Sequence, residues 1–418
     1  MDDVDQRGFD NQPAYVDAAE ACALLNVKRQ TLYAYVSRGL VRSLGRDAGG
    51  HHRYSREDLS RLRARHDARA GHGPVAAAAL RWGEPVLESA LTAIGPDGPR
   101  YRGHAAVELA ARSTPFEAVS DLLVADLPLP PRGVRPAWPR PLTLGPIARL
   151  VPPGTPGLFV MATVVPALAV RALGGGPLEG EVEIDRARSL QRTLAASLAL
   201  GRAPERVAAA LAASSVAEAA AIALGARGPR AISAIEELLV ISADHELNVS
   251  CFTARVTASA GAELFACVAA ALQAMTGARH GAAPDRVEAL LTEAGEPRRA
   301  AEIVRARRRR GESVPGFGHL LYPAGDPRAT RLLALARRLP ATRLSTVVQR
   351  CVTAMARAGG ELPTLDVGLV AVTAALGLPH GSASALFALG RTAGWIAHSL
   401  EQRAQGFLLR PRARYIGR

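Results

Sequence analysis

His319 closes the stretch Val-Pro-Gly-Phe-Gly-His319, and Arg328 follows in Asp-Pro-Arg328. Proline removes a backbone donor and glycine costs about 1 kcal/mol in a helix interior, so this stretch is a loop. Its glycines let a ligand come close to the backbone and leave the imidazole free to meet it. Taken alone, it is also an ordinary tight turn with a surface histidine. Asp-His245-Glu-Leu-Asn follows an apolar run and reads as a capped helix start or as a metal-binding pair, though no His-Glu-x-x-His spacing is present. His280 lies where a helical pattern stops at glycine. Asp366, in Pro-Thr-Leu-Asp366-Val, is a lone carboxylate among apolar neighbours, a setting that raises a pKa or calls for a partner. Arg391 and Arg410 complete the set; an arginine met singly is most often a solvated surface charge. Gathered together, such groups would suit acid–base chemistry on an anion.

The elements that position these groups are expected to be helical. Ala, Leu and Val dominate and aromatics are only 4%, a balance that disfavours strands. Leu264, Val268, Leu272 and Met275 are spaced by four, four and three, and Leu389, Ala393, Ile396 and Leu400 repeat similarly. No long run alternates apolar with polar. Prolines from Pro128 to Pro156 break the chain around one irregular region. Gly174-Gly175-Gly176 follows no strand and lacks dinucleotide-binding spacing, and no P-loop occurs. The body from Ala76 onward therefore reads as all-α.

At 418 residues, 48% hydrophobic and 21% charged, the chain fits a globular protein of two or three domains. The net charge of +13 is almost entirely arginine, since Lys28 is the only lysine. It favours polyanions, either nucleic acid or nucleotide-bearing cofactors, without choosing between them. Cys22, Cys251, Cys267 and Cys351 lack CxxC spacing, so neither a metal site nor a disulfide framework is indicated. The acidic N-terminus is unlike a signal peptide, and the apolar run 158–170, interrupted by Pro166, is too short to span a bilayer. A cytoplasmic protein without membrane contact is expected.

The N-terminal segment is organised differently. Asp17 is an N-cap candidate, and Glu20 would complete a capping box for a helix ending near Asn26, with Ala18, Cys22 and Leu25 on one face. A second helix runs from Lys28, with Leu32, Val36 and Leu40 inward and Arg29, Gln30, Tyr33 and Arg38 outward. A turn containing Gly45, Gly49 and Gly50 follows, then His52-Arg53-Tyr54, and Ser55 as the cap of a further helix. Between Lys28 and Arg69 eleven Lys/Arg face four Asp/Glu, an excess of seven and over half the net charge. A phosphate backbone attracts such a patch. The segment 15–62 resembles the MerR/excisionase class of winged helix-turn-helix domains, through Ala-Ala-Glu…Leu-Leu…Thr-Leu-Tyr…Gly-Leu-Val and His-Arg-Tyr-Ser-Arg-Glu-Asp-Leu. That resemblance implies DNA contact through Arg29, Gln30, Tyr33 and Arg53.

From about Pro85 onward the chain resembles the citrate synthase family. The pieces that carry the likeness, in order, are Ala-Asp-His245-Glu-Leu-Asn-Val-Ser, His280-Gly, Val-Pro-Gly-Phe-Gly-His319 with Asp-Pro-Arg328, Leu-Asp366, Leu-Phe-Ala-Leu-Gly-Arg391-Thr-Ala-Gly-Trp-Ile-Ala-His, and Leu-Arg410-Pro. Gly-Pro-Arg-Tyr101-Arg-Gly also matches the family's early turn. The resemblance implies condensation of oxaloacetate with acetyl-CoA as co-substrate, with no tightly bound cofactor. Propionyl-CoA, as in 2-methylcitrate synthases, is the close alternative, and a DNA-binding metabolite sensor the more distant one. It assigns Asp366 as base, His280 as donor to the thioester oxygen, and His319 as the group polarising the oxaloacetate carbonyl. His245, Arg328, Arg391 and Arg410 would hold the substrate, with Arg410 reaching from a second subunit. The backbone at Val314, Gly316, Phe317 and Gly318 would flank the CoA adenine, and the arginine run 305–310 would offer charge to its phosphates.

The implied architecture is all-α. A winged helix-turn-helix domain (1–62) and a linker (63–80) precede a large domain (81–279 and 370–418) and a small domain (280–369), and the chain is expected to form a homodimer. Departures from the family pattern fall beside the site. Pro284 stands where asparagine is usual, Val367-Gly368-Leu369-Val370 follows the base, and Leu320 and Pro323 replace basic residues after His319.

Overall fold

The computed structural model describes residues 15–25, 27–46, 52–56, 58–59, 62, 87–172, 180–411, 413 and 415. The expected linker 63–80, Gly49, Gly50 and the glycine triplet 174–176 lie outside the described residues. The chain forms two compact units, Met1–Glu88 and Ser89–Arg418.

In the first unit, β1 (Tyr15–Val16), α1 (Ala18–Leu25), α2 (Arg29–Ser37), β2 (Ser43–Arg46) and β3 (His52–Ser55) follow one another. The strands form an antiparallel sheet in the order β1-β3-β2, so β2 and β3 are the expected wing hairpin. Val16, Ala21, Leu32, Val41, Tyr54 and Leu59 make its core. Asp17 Oδ1 accepts the Glu20 N–H at 2.8 Å, as an N-cap should. The reciprocal half of the capping box is not made, because the Glu20 carboxylate pairs with Arg56 instead. The inward expectation for Leu40 also fails. α2 ends at Ser37 and the chain reverses at Gly39 (φ +68°), so helical spacing no longer applies. Leu40 is 39% exposed and Val41 takes the buried place. Ser55 Oγ accepts the Asp58 N–H at 3.3 Å, and Asp58 grips Arg42 bidentately at 2.8 and 3.1 Å.

The second unit is mostly helical, as expected, with one short sheet at its start. A three-stranded antiparallel meander, β4 (Thr92–Gly95), β5 (Gly98–Tyr101) and β6 (His104–Ala105), precedes the helices. Strands this short carry no readable alternation. Helices follow as α3 (Ala106–Ala111), α4 (Phe116–Ala125), α5 (Gly157–Ala172), α6 (Glu181–Ser197), α7 (Val207–Ala212) and α8 (Val216–Leu224). Next come α9 (Pro229–Ser242), α10 (Val249–Ser259), α11 (Leu264–Met275), α12 (Ala283–Ala294) and α13 (Ala300–Arg309). The last are α14 (Pro327–Ala336), α15 (Arg343–Arg357), α16 (Leu365–Ala375) and α17 (Ser382–Gln405). As the prolines suggest, the segment between α4 and α5 holds only a 3-10 turn, Gly145–Leu150. No helix among the described residues is long and apolar enough to cross a membrane.

α17 is the axis of this unit, packed against α4, α9, α10 and α11 and buried from Ser382 to Ser399. Glycines let it lie close to the end of α9: a Cβ at Gly390 would come 2.8 Å from the Leu239 carbonyl oxygen. At Gly394 it would come 2.2 Å from Asp244 Oδ1. α16 packs on α14, α15 and α12.

Candidate active site

Apart from Arg391, which lies within α17, the expected site residues of this unit sit near where helices begin or end. Asp244 and His245 occupy the turn between α9 and α10, which Asn248 closes by accepting the Cys251 N–H at 3.2 Å. The turn is pinned from below by Tyr101 of β5. Its hydroxyl lies 3.1 Å from the carbonyls of Val240 and Ile241 and accepts the Asp244 N–H at 3.3 Å. Asp244 is fully buried. Burial alone would raise its carboxyl, but His398 and Arg391 outweigh it and hold the pKa at about 2.

His245, His319 and Tyr322 form one cluster. His245 and His319 meet edge-to-face at 5.8 Å, and His319 and Tyr322 are tilted at 5.0 Å. His245 Nε2 lies 2.8 Å from the Tyr322 hydroxyl. Burial, reinforced by the charges of Arg328 and Arg391, pushes His245 well below its usual pKa, so its ring is neutral. His319 Nδ1 accepts the Leu321 N–H at 3.2 Å, which leaves Nε2 to carry a proton. The guanidinium of Arg328 lies 5.3 Å from the centre of the Tyr322 ring.

Arg328 is buried and bidentate with Asp326, at 3.0 and 2.9 Å. The same carboxylate caps α14 through the Arg328 N–H and accepts the Leu365 N–H at 3.1 Å, at the start of the helix that carries Asp366. The arginine expected to hold substrate and the carboxylate expected to act as base therefore hang on one buried group. Asp366 is partly buried and accepts from Thr364 Oγ1 at 2.9 Å. Burial raises its carboxyl above the usual range; Asp326 adds to the rise, while Thr364 and Arg328 oppose it.

The loop before His319 is joined to the same segment. Gly318 donates its N–H to the Leu362 carbonyl at 2.9 Å, Thr364 donates to the Gly316 carbonyl at 2.8 Å, and Phe317 bridges Pro363. Gly316 (φ +84°) is obligatory here, since a Cβ would come 2.4 Å from Val367 Cγ2. The side chains of Val314 and Phe317 are in the core. Leu320, the neighbour of His319, is 51% exposed.

His280 follows α11 and is anchored through Nε2, which lies 2.8 Å from Ser250 Oγ. Ser250 in turn accepts from Trp395 Nε1 at 2.9 Å. Burial and the nearby charge of Arg391 lower the His280 pKa to about 4, so this ring too is neutral. Arg391, buried on α17, donates Nε to the Ser242 carbonyl at 2.8 Å and lies over the Phe387 ring. Arg410 is not brought into the cluster; it lies beyond α17 in the extended tail and is exposed. In the arginine run, Arg307 and Arg310 pair with Glu293 and Glu312, and Arg308 donates to the Ala358 carbonyl.

Sequence reasoning missed Tyr322, Asp326, Ser250, Trp395 and the pair Asp244–His398. An aromatic three residues after His319 and a polar residue two after Asn248 were the available signals.

Comparison with known proteins identifies the families of the two units. The family model for the citrate synthase C-terminal domain matches residues 79–412, and a helix-turn-helix domain model matches residues 15–67. The chain belongs to the citrate synthase family, and its N-terminal unit is of the helix-turn-helix type. It is 36% identical over 196 residues to citrate synthase 2 of Bacillus subtilis, covering 45% of this chain and 52% of that protein. It is 33% identical over 190 residues to a 2-methylcitrate synthase of Mycobacterium tuberculosis, covering 44% and 48%. The chain thus spans about half the length of the curated relatives it matches. Its fold is similar to that of a citrate synthase from Thermoplasma acidophilum, solved as a ternary complex with carboxymethyl coenzyme A and oxaloacetate. There the TM-score is 0.68 at 22% identity, covering 80% of this chain and 94% of that one.

Proposed function

We propose that residues 89–418 condense acetyl-CoA with oxaloacetate and hydrolyse the resulting thioester, giving citrate and CoA. The observation that carries this reading is the linkage of Arg328, Asp326 and Leu365 beside the paired rings of His245 and His319. It holds an anion clamp, two imidazoles and a carboxylate base in one frame. The methyl group of a thioester is a very weak acid, so a base needs a donor at the oxygen where charge develops. In this reading Asp366 takes the methyl proton while neutral His280 donates to the thioester oxygen. His319, protonated at Nε2, gives its proton to the keto oxygen of oxaloacetate as the carbon–carbon bond forms. A neutral imidazole serves as donor without drawing a competing anion. Arg328 and Arg391 hold the two carboxylates with His245.

Arg410 completes the clamp only from a second subunit, so the catalytic unit is a homodimer in the cytoplasm, with 280–369 moving as the small domain. The loop 314–318 takes the CoA nucleotide. Helix α2, with Arg29, Gln30 and Tyr33 exposed and Arg53 on the wing, binds duplex DNA. The likeness to a 2-methylcitrate synthase makes propionyl-CoA the alternative acyl donor. CoA release with oxaloacetate and either acyl-CoA decides between them. Turnover is expected in the wild type and lost in Asp366→Ala. Equal turnover in both would sink Asp366 as base, and ligand-dependent DNA binding without turnover would replace the enzyme with a metabolite sensor.

A further inference from the structure

Tyr322 is buried, lies outside every motif that drew attention to this site, and touches three of its groups. Its hydroxyl is 2.8 Å from His245 Nε2, its ring is 5.0 Å from that of His319, and the Arg328 guanidinium lies 5.3 Å from its centre. The phenol also closes a hydrogen bond between the loop of His319 and the turn of His245. We propose that Tyr322 is a positioning residue for the condensation: its hydroxyl fixes the ring and tautomer of His245, and its face holds the guanidinium of Arg328. The proposal rests on the reading of the site given above.

The surroundings fix the charge states of the two partners. Arg328 from α14, Arg391 from α17 and His319 from the loop all face His245 and disfavour its cationic form. On its own turn Asp244 is committed to His398, and Glu246 donates its backbone N–H to Asp244 at 3.2 Å. Burial pushes the phenol up to about 12, so Tyr322 keeps its proton at neutral pH. A protonated phenol can donate to a neutral imidazole or accept from it; on the proposal it donates, which makes Nε2 of His245 the acceptor. The proton of that ring then lies on Nδ1. Loss of the phenol donor removes a bond made to the neutral imidazole, so the His245 pKa rises toward its ordinary value.

Tyr322→Phe keeps the ring over Arg328 and deletes only the hydroxyl. Its effect is read by NMR titration of histidine rings labelled at Cε1, with the His245 signal assigned from His245→Asn. The midpoint of His245 is expected to move up in Tyr322→Phe, kcat to fall about tenfold, and KM for oxaloacetate to change less than threefold. Tyr322→Leu, which also removes the ring face, is expected to raise KM for oxaloacetate as well. An unmoved His245 midpoint, or unchanged kcat in both variants, would overturn the proposal. Absence of CoA release from the wild type would instead defeat the catalytic reading, and the titration still reports on Tyr322.

Discussion

The carbonyl of Gly316 accepts the N–H of Thr364 at 2.8 Å, which ties the loop that carries His319 to the helix that carries Asp366. Gly316→Ala tests how tight that joint is. Its φ of +84° disfavours any side chain, and the new methyl would meet Val367 Cγ2 at 2.4 Å and Val287 Cγ2 at 2.8 Å. The variant is expected to lose about 2–4 kcal/mol in a denaturant melt. Adding Val367→Ala should restore part of that loss by removing the nearer methyl.

In the proposed reaction Asp366 acts in the deprotonated form, and its pKa is raised mainly by burial. Activity therefore falls as pH drops through a value above the ordinary carboxylate range. The acid limb of the kcat profile should report this. Asp366→Asn removes the base with little change in size and is expected to lower kcat at least about 100-fold. Oxaloacetate binding followed by calorimetry should survive, because Asp326 still holds Arg328.

Asp244 has the opposite sign. Its folded pKa, about 2, lies below the ordinary 3.8, so the ionised form is favoured by folding. The stability it contributes is fully present above about pH 4 and is lost as pH falls toward 2. Asp244→Asn should flatten the melting temperature over that window. At neutral pH the same change leaves His398 and Arg391 facing a neutral amide and costs about 3–5 kcal/mol.

Arg29 opens α2 on its exposed side. Arg29→Ala is expected to weaken binding of duplex DNA by the full chain and to reduce the slope of log K against log salt by about 1. An unchanged slope would remove Arg29 from the phosphate contacts.

The groups legible in the sequence were those tied to a local pattern. His245, His319, Arg328 and Asp366 each stand in a short stretch of unusual composition, and the glycine-bounded loop had to be a turn. The helical periods around Leu264 and Leu389 fell inside α11 and α17. What escaped was chemistry made by distance along the chain. Tyr101 reaches a turn 143 residues away, and Trp395 steadies Ser250 across 145. A single tyrosine or tryptophan carries no mark of the carbonyl or hydroxyl it will find. Asp326 was read as part of an arginine motif, yet its role in capping α16 depends on how α14 and α16 pack. Leu40 failed for a local reason, since α2 ends at Ser37 and the chain turns at Gly39, and Glu20 for a distant one, its pairing with Arg56.

α17 joins these points through its two glycines. Gly390 and Gly394 bring its backbone against Leu239, Ala243 and Asp244, and no side chain fits in either gap. In a saturation mutagenesis library selected for function, these two positions should be as depleted of variants as any acid, base or clamp. A ranking by intolerance alone would mistake them for chemically active residues. The seam thus limits how this site can drift: new substrate preferences are open to side chains that line it, but not to any change in the spacing between α17 and the turn of His245.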